Sequence, residues 1–295
     1  MQTLTCCEIC PRGCKVNRLS GEIGFCGADA VVKIARADLH FWEEPCISGE
    51  NGSGTVFFSS CNMKCIFCQN FPISTCNKGV EMSVAELCEK FLALQKKGAN
   101  NINLVTPTHY VLQIIAALDL AKGKGLDIPV VYNSGGYESV STIKRLSGYV
   151  DIYMPDIKYF SDKAAVEYSS APDYFNIASD ALSEMVKQVG KPVFDEKGIM
   201  KKGVIVRHMM LPGLLSDTRK IIDYLYDTYG DDIFISLMSQ YTPMESVREH
   251  PKLCRRIDPK SYDTVVKYCM DKGIKNAFIQ SGASASESFI PDFEI

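Results

Sequence analysis

The sequence predicts an α/β fold built on a parallel sheet, and three observations predict it. Short apolar runs rich in β-branched residues alternate with amphipathic helical stretches from about residue 51 to residue 280. Most of the helical stretches stop at a glycine. The short runs are apolar throughout, as strands are when helices cover both faces of their sheet. Strands joined by helical crossovers run parallel.

Taken in order, a strand at 55–59 precedes a helix over 83–97, with Leu87, Phe91 and Leu94 on one face and Gly98 as the stop. A strand at 102–105 leads into a helix over 111–122 that ends near Gly123. A strand at 128–132 is followed by a short helix at 140–146. A strand at 150–154 is followed by a helix over 174–189, closed by Gly190. A strand at 204–209 is followed by a helix over 216–229, with Ser216 as N-cap and Gly230 as stop. A strand at 233–238 is followed by a helix over 262–272, closed by Gly273, and 277–280 is a candidate seventh strand. Such a series fits a doubly wound open sheet or a partly closed barrel. Both place an active site at the carboxyl ends of the strands, where this chain carries its polar and Gly-rich residues.

The flanks differ from this middle zone. Residues 1–50 are Cys-rich with few long periodic stretches, 51–280 form the α/β unit, and 281–295 are a Ser/Ala-rich acidic tail. The 295 residues are 46% hydrophobic and 23% charged, as in an ordinary globular chain. A net charge of −3 gives no general pull toward nucleic acid or an anionic membrane. The start is polar and lacks an apolar leader, and no run nears the roughly 18 apolar residues of a membrane span. The expected location is therefore cytoplasmic. Cysteines there are kept reduced and serve metal binding or catalysis more often than disulfides, and thirteen is an odd number to pair.

After the first strand comes Cys61-Asn62-Met63-Lys64-Cys65-Ile66-Phe67-Cys68, a C-x-x-x-C-x-x-C pattern. Three thiolates on one tight loop bind three irons of a [4Fe–4S] cubane and leave the fourth iron without a protein ligand. An open metal position is what catalysis needs. S-adenosylmethionine can chelate that iron, and one electron into its sulfonium breaks a C–S bond to give a 5′-deoxyadenosyl radical. The competing reading is structural zinc with Cys76 as fourth ligand, or thiols that pack. A second set, Cys7, Cys10, Cys14 and Cys26, reads C-x-x-C-x-x-x-C with a fourth cysteine after Gly24-Phe25. Four thiolates close a site, either structural zinc or an auxiliary [4Fe–4S] cluster.

With these motifs the chain resembles the radical S-adenosylmethionine superfamily. More narrowly it is similar to the activating enzymes of glycyl radical enzymes, such as pyruvate formate-lyase activating enzyme, and to relatives of that activase with an extra N-terminal cysteine motif. The resemblance covers nearly the whole chain and implies a partial (β/α)6 barrel with a small Cys-rich N-terminal extension. It implies Cys61, Cys65 and Cys68 as cluster ligands, with Phe67 and Gln69 near the adenine. Asn133-Ser134-Gly135 resembles a T-N-G turn beside the ribose and methionine, and Asp156-Ile157-Lys158 resembles a D-L-K motif that contacts the cofactor. Arg207 matches an arginine on the fifth strand and is the candidate catalytic residue. Gln240 stands where the activases carry a histidine. The activase G-G-E stretch is replaced here by Val105-Thr106-Pro107-Thr108-His109, so Thr106 or Thr108 would receive the methionine amino group. The resemblance further implies an electron donor such as flavodoxin or ferredoxin, and a glycyl radical enzyme as substrate, with a peptide or small molecule as the alternative.

Other readings stay plainer. Asp156 and Lys158 also fit a solvated ion pair. Arg207 alternates with apolar neighbours and, if buried, needs a carboxylate: the cofactor, the substrate or Asp156. His109 and His208 read as satisfied structural histidines. The Gly-rich 49–54 stretch is a turn, and His40, Trp42, Glu43 and Glu44 carry no assignment. Phe289, Ile290 and Phe293 are candidates for docking the tail over the barrel mouth. Outside this class stands a non-catalytic zinc or iron–sulfur binding protein.

Overall fold

The structure, a computed structural model, describes residues 4–280. Among the described residues the ten strands are β1 (Val32–His40), β2 (Ser53–Phe58), β3 (Val80–Met82), β4 (Ile102–Val105), β5 (Val130–Ser134), β6 (Ile152–Pro155), β7 (Val193–Phe194), β8 (Met200–Met209), β9 (Phe234–Met238) and β10 (Ala277–Ile279). They form one sheet in the order β10-β9-β8-β6-β5-β4-β2-β1-β3, with β7 paired to β8. From β2 to β10 neighbours along this path are parallel, as helical crossovers require. The sheet does not close on itself, which makes the architecture a partial barrel. No described helix is long and apolar enough to cross a membrane.

The expected helices at 111–122 and 174–189 are present as Val111–Gly123 and Tyr174–Val189. Val84–Lys96 starts at a capping box in which the Ser83 hydroxyl accepts from Glu86 N–H (3.2 Å) and the Glu86 carboxylate accepts from Ser83 N–H (2.8 Å). Several boundaries differ from expectation: β8 starts at Met200 and the last helix at Pro259, earlier than expected, and three others have a visible local cause. β5 starts after Pro129, which has no N–H to give to a ladder. β6 begins at Ile152 because the Asp151 carboxylate accepts Val130 N–H at 2.9 Å. Ser216 is not an N-cap: Leu215–Tyr229 starts from Leu214 without a side-chain cap, and Asp217 turns outward to accept Phe160 and Ser161 N–H.

Sequence reading missed β1, β3, β7 and the helices Pro45–Ser48, Phe71–Ser74 and Asp162–Ser169. β1 runs antiparallel to both β2 and β3 and extends the sheet past its first parallel strand. After β1 the chain turns through Phe41–Glu44 into the short helix Pro45–Ser48. Cys46 and Ile47 pack against Val131, Ile152, Met154, Met200 and Ile205. These alternate along their strands with residues such as Tyr132, Tyr153 and Val204, which belong to the larger core under the helices. Pro45–Ser48 therefore plugs the inner face of the barrel and brings Glu43 and Glu44 with it.

Candidate active site

The loop after β2 turns through two residues in the left-handed region, Ser60 (φ 77°) and Lys64 (φ 55°). Non-glycine residues pay strain there, and such strain clusters at functional sites. The loop wraps the three thiols around the mouth of a cavity of about 250 Å³ lined by Cys61, Cys65 and Cys68. Each sulfur receives a hydrogen bond: Met63 N–H to Cys61 at 3.4 Å, the Ser169 hydroxyl to Cys65 at 2.9 Å, and the Ser74 hydroxyl to Cys68 at 3.3 Å. Burial pushes the Cys61 thiol up to about 11 and raises Cys65 and Cys68 as well. Ionised thiolates here therefore call for positive charge, such as iron, to balance them. Cys76 is exposed and does not line the cavity.

Among the described residues no three His, Cys, Asp or Glu side chains are gathered tightly enough to hold one metal ion. Thiolates that each bind a different iron of a cubane stand further apart than ligands sharing one ion. Three half-buried sulfurs facing a cavity, each met by a hydrogen-bond donor, are a donor set that fits such a cluster.

Every side chain named from sequence as a cofactor contact lines this same cavity, except the alternative Thr108: Phe67, Gln69, Thr106, Asn133, Ser134, Asp156, Lys158 and Gln240. Phe67 is held edge-on to Tyr241 with ring centroids 6.0 Å apart. Gln69 reaches the Gln240 carbonyl at 3.4 Å, which ties the cysteine loop to the end of β9. Thr106 is also left-handed (φ 58°), a costly state for a β-branched residue, with its N–H on the Asn133 carbonyl at 2.9 Å. Thr108 instead donates to Glu138 at 2.6 Å.

Asp156 and Lys158 do form an ion pair, but an inward one, with side chains 21% and 18% exposed. Burial works against the Lys158 charge, while Asp156 and Cys65 more than reverse it and raise its pKa. The Tyr174 hydroxyl pins the turns behind them, lying 2.8 Å from the Gly135 carbonyl, 2.9 Å from that of Asp156 and 3.0 Å from Lys158 N. Gly136 is required between these turns: at φ 81°, an added Cβ would stand 2.1 Å from the Asp156 carbonyl oxygen.

Arg207 lines the cavity but has other partners than expected. Its Nη2 lies 3.1 Å from Glu43 Oε2 and its Nε 3.1 Å from Glu44 Oε1. The second contact is a Coulombic one, because Nε is not aligned for a hydrogen bond. Asn103 donates to Glu43 at 2.9 Å. The cofactor or substrate carboxylate is therefore not needed to neutralise Arg207, and Asp156 meets it through a backbone bridge. Sequence reading missed Glu43 and Glu44. Two adjacent carboxylates just before a Pro-initiated turn were the available signal.

The two histidines separate. His208 is satisfied on both nitrogens, by the Ile157 carbonyl (2.6 Å) and the Thr218 hydroxyl (3.0 Å). His109 is not: Nε2 meets the Ser59 carbonyl at 2.7 Å, while Nδ1 is buried without a partner.

Glu138 is a further buried carboxyl behind the site, against Thr108 and Tyr132. Burial pushes it up to about 7 from 4.5, with the hydroxyl hydrogen bonds pulling the other way. Its neutral form is favoured in the fold, so this stability is complete below about pH 4.5, falls toward pH 7 and is gone above it. Glu138→Gln should flatten this dependence and, at pH 8, raise stability by about 1–3 kcal/mol in urea melts. An unchanged pH profile would show that Glu138 is already ionised.

Residues 55–225 match the Radical SAM superfamily. The chain belongs to the radical SAM superfamily. Members are enzymes, and membership implies S-adenosylmethionine and a [4Fe–4S] cluster. The chain is 30% identical over 279 residues to an uncharacterised protein of Methanocaldococcus jannaschii, covering 90% of this chain and 75% of that one. Among solved structures it is similar to Streptococcus suis SuiB bound to S-adenosylmethionine, at TM-score 0.51 and 13% identity, covering 75% of this chain and 48% of SuiB. It is similar in the same way to HydG, a maturase of the [FeFe]-hydrogenase, at TM-score 0.52 and 13% identity, covering 78% of this chain and 52% of HydG. At such identity these likenesses concern the radical SAM fold alone, and the chain spans about half the length of either protein.

Proposed function

We propose that this chain is a radical SAM enzyme that abstracts hydrogen from a substrate, with a cluster held by Cys61, Cys65 and Cys68. The observation that carries the reading is the meeting, in one cavity, of three half-buried thiols with Gln69, Thr106, Asn133, Ser134, Asp156, Lys158 and Gln240. The chemistry supplied by the bound cluster and cofactor is one-electron cleavage of a sulfonium carbon–sulfur bond, which yields a 5′-deoxyadenosyl radical. The chain's own residues do the rest. Ser74 and Ser169 donate to cysteine sulfurs and favour their ionised form. Phe67 and Met63, both buried, keep water from the reacting side. Asp156 and Lys158 offer one acceptor and one cation to an amino-acid end group, and Thr106, Asn133 and Ser134 supply neutral hydrogen-bonding groups. Arg207, clamped by Glu43 and Glu44, fixes the inner end of the cavity and positions what binds there.

The finer reading is activase-like: the substrate is a glycyl radical enzyme or another peptide, and a flavodoxin- or ferredoxin-type protein is the electron donor. The tail residues Phe289, Ile290 and Phe293 lie outside the described residues. In this reading Cys7, Cys10, Cys14 and Cys26 hold a second metal group.

The test is anaerobic reconstitution with iron and sulfide, then dithionite and S-adenosylmethionine. The wild type should form 5′-deoxyadenosine at least about 100-fold above a variant with Cys61, Cys65 and Cys68 changed to Ala, equivalent to about 2.7 kcal/mol. Equal yields, or zinc at the triplet, favour the non-catalytic alternative.

A further inference from the structure

We propose that Cys7, Cys10, Cys14 and Cys26 hold a polynuclear iron–sulfur cluster rather than a single zinc ion, and that His109 belongs to the same site. This rests on the reading just given, that the N-terminal thiols bind a metal group.

The four cysteines come together because the chain doubles back. Cys7 N–H donates to the Val16 carbonyl at 3.0 Å, Lys15 N–H returns to the Cys7 carbonyl at 2.9 Å, and Lys15 itself is left-handed (φ 58°). Cys26 joins them after Gly24, which has no room for a side chain: a Cβ there would lie 2.9 Å from Cys14 Sγ. The next amide, Phe25 N–H, donates to that sulfur at 3.4 Å. All four thiols line one small cavity with Arg18 and His109.

Size argues against zinc. A zinc ion at about 2.3 Å from each sulfur draws four thiolates so close that no water-sized space remains between them. The cavity here has about 10 Å³ of such space, room for about one water. Thiolates that bind separate irons of a cubane are spread more widely and leave a space of this kind.

Charge argues for a buried anion. Arg18 is only 2% exposed, and among the described residues no carboxylate lies within ion-pair distance of it. Its guanidinium is satisfied only by carbonyls, those of Asp29 and, at 2.6 Å, His109. An unpaired buried cation is costly unless an anion stands beside it, and a thiolate-ligated cluster supplies one.

His109 supplies the remaining donor. It is 2% exposed. Nε2 carries the proton given to the Ser59 carbonyl, so Nδ1 is the lone-pair nitrogen, and it is the one buried without a partner. A lone pair left so is expensive, unless the bound group or its ligands meet it. Ser59 stands two residues before Cys61, so His109 is also the physical link between the two thiol groups.

The test uses the full chain with Cys61, Cys65 and Cys68 changed to Ala, which isolates the N-terminal site and does not depend on turnover. Anaerobic reconstitution should load about four irons and four sulfides per chain, with visible absorption bleached by dithionite. Pulsed EPR on the reduced protein labelled with ¹⁵N-histidine should show a nitrogen coupling that disappears in His109→Phe while iron is retained. If the triple variant does not fold, the wild type serves, with about eight irons falling to about four in Cys10→Ala/Cys26→Ala. One zinc per chain with no iron overturns the cluster. A nitrogen coupling absent, or unchanged by His109→Phe, overturns the part given to His109. Failure of the wild type to form 5′-deoxyadenosine, with the N-terminal iron intact, would count against the proposed function and leave this site standing.

Discussion

Arg207→Met should destabilise the protein by about 3–5 kcal/mol, one of the largest effects of any single change near the cavity. The reason lies in what the arginine leaves behind. Glu43 and Glu44 have side chains only 6% and 5% exposed, and Arg207 is the cation that faces both. Burial, with Glu44 adjacent, already holds the Glu43 carboxyl above the usual range. Removing the guanidinium forces the carboxylates to take up protons or to let water in, and the plug at Pro45–Ser48 is attached to them. Arg207→Lys should recover only part of the loss, because a single ammonium does not reproduce a planar fork facing two carboxylates. Arg207→Met combined with Glu43→Gln and Glu44→Gln should recover more, since a neutral set has no unpaired charge to hide. Urea unfolding of the four proteins measures this. A loss below about 1 kcal/mol in Arg207→Met, with 5′-deoxyadenosine formation abolished, would make Arg207 a residue for ligand alone rather than a keystone of the barrel's inner end.

That distinction was closed to sequence. The cysteine triplet is local, so its spacing carries its chemistry, and the polar residues after β4, β5 and β6 were placed by the rule that parallel strands present their carboxyl ends to ligands. The partners of Arg207 come from the first fifty residues, and no periodicity connects Glu43 to β8. β1 escaped for a different reason. Its alternation begins correctly, with Val32 and Ile34 buried, but the pairing shifts between Ile34 and Arg36, and from there on the residues are only half-buried. The Tyr174 clamp was invisible for the same long-range reason: a tyrosine that begins a helix reads as core until the Gly135 and Asp156 carbonyls are seen beside its hydroxyl. His109 was read as satisfied, and only the fold shows that one of its nitrogens is not.

Lys158→Met should lower iron loading of the triplet and cut 5′-deoxyadenosine formation at least about tenfold, a change of about 1.4 kcal/mol. Lys158 is a cation whose field reaches all three thiols, lowering Cys65, Cys61 and Cys68 against the burial that raises them. Without it the thiolates form less readily, and Asp156 is left as an uncompensated negative charge whose field raises Cys65 further. The double variant Lys158→Met/Asp156→Asn separates these effects. It removes the pair as a neutral unit, so iron loading should rise above that of the single variant. Product formation should stay low, because the cation and acceptor offered to the cofactor are both gone. Iron per chain and 5′-deoxyadenosine yield are measured on the same reconstituted samples. Wild-type values of both in Lys158→Met would reduce Asp156–Lys158 to an ion pair that happens to face inward. Loss of product with full iron would place the lysine on the cofactor rather than on the thiols.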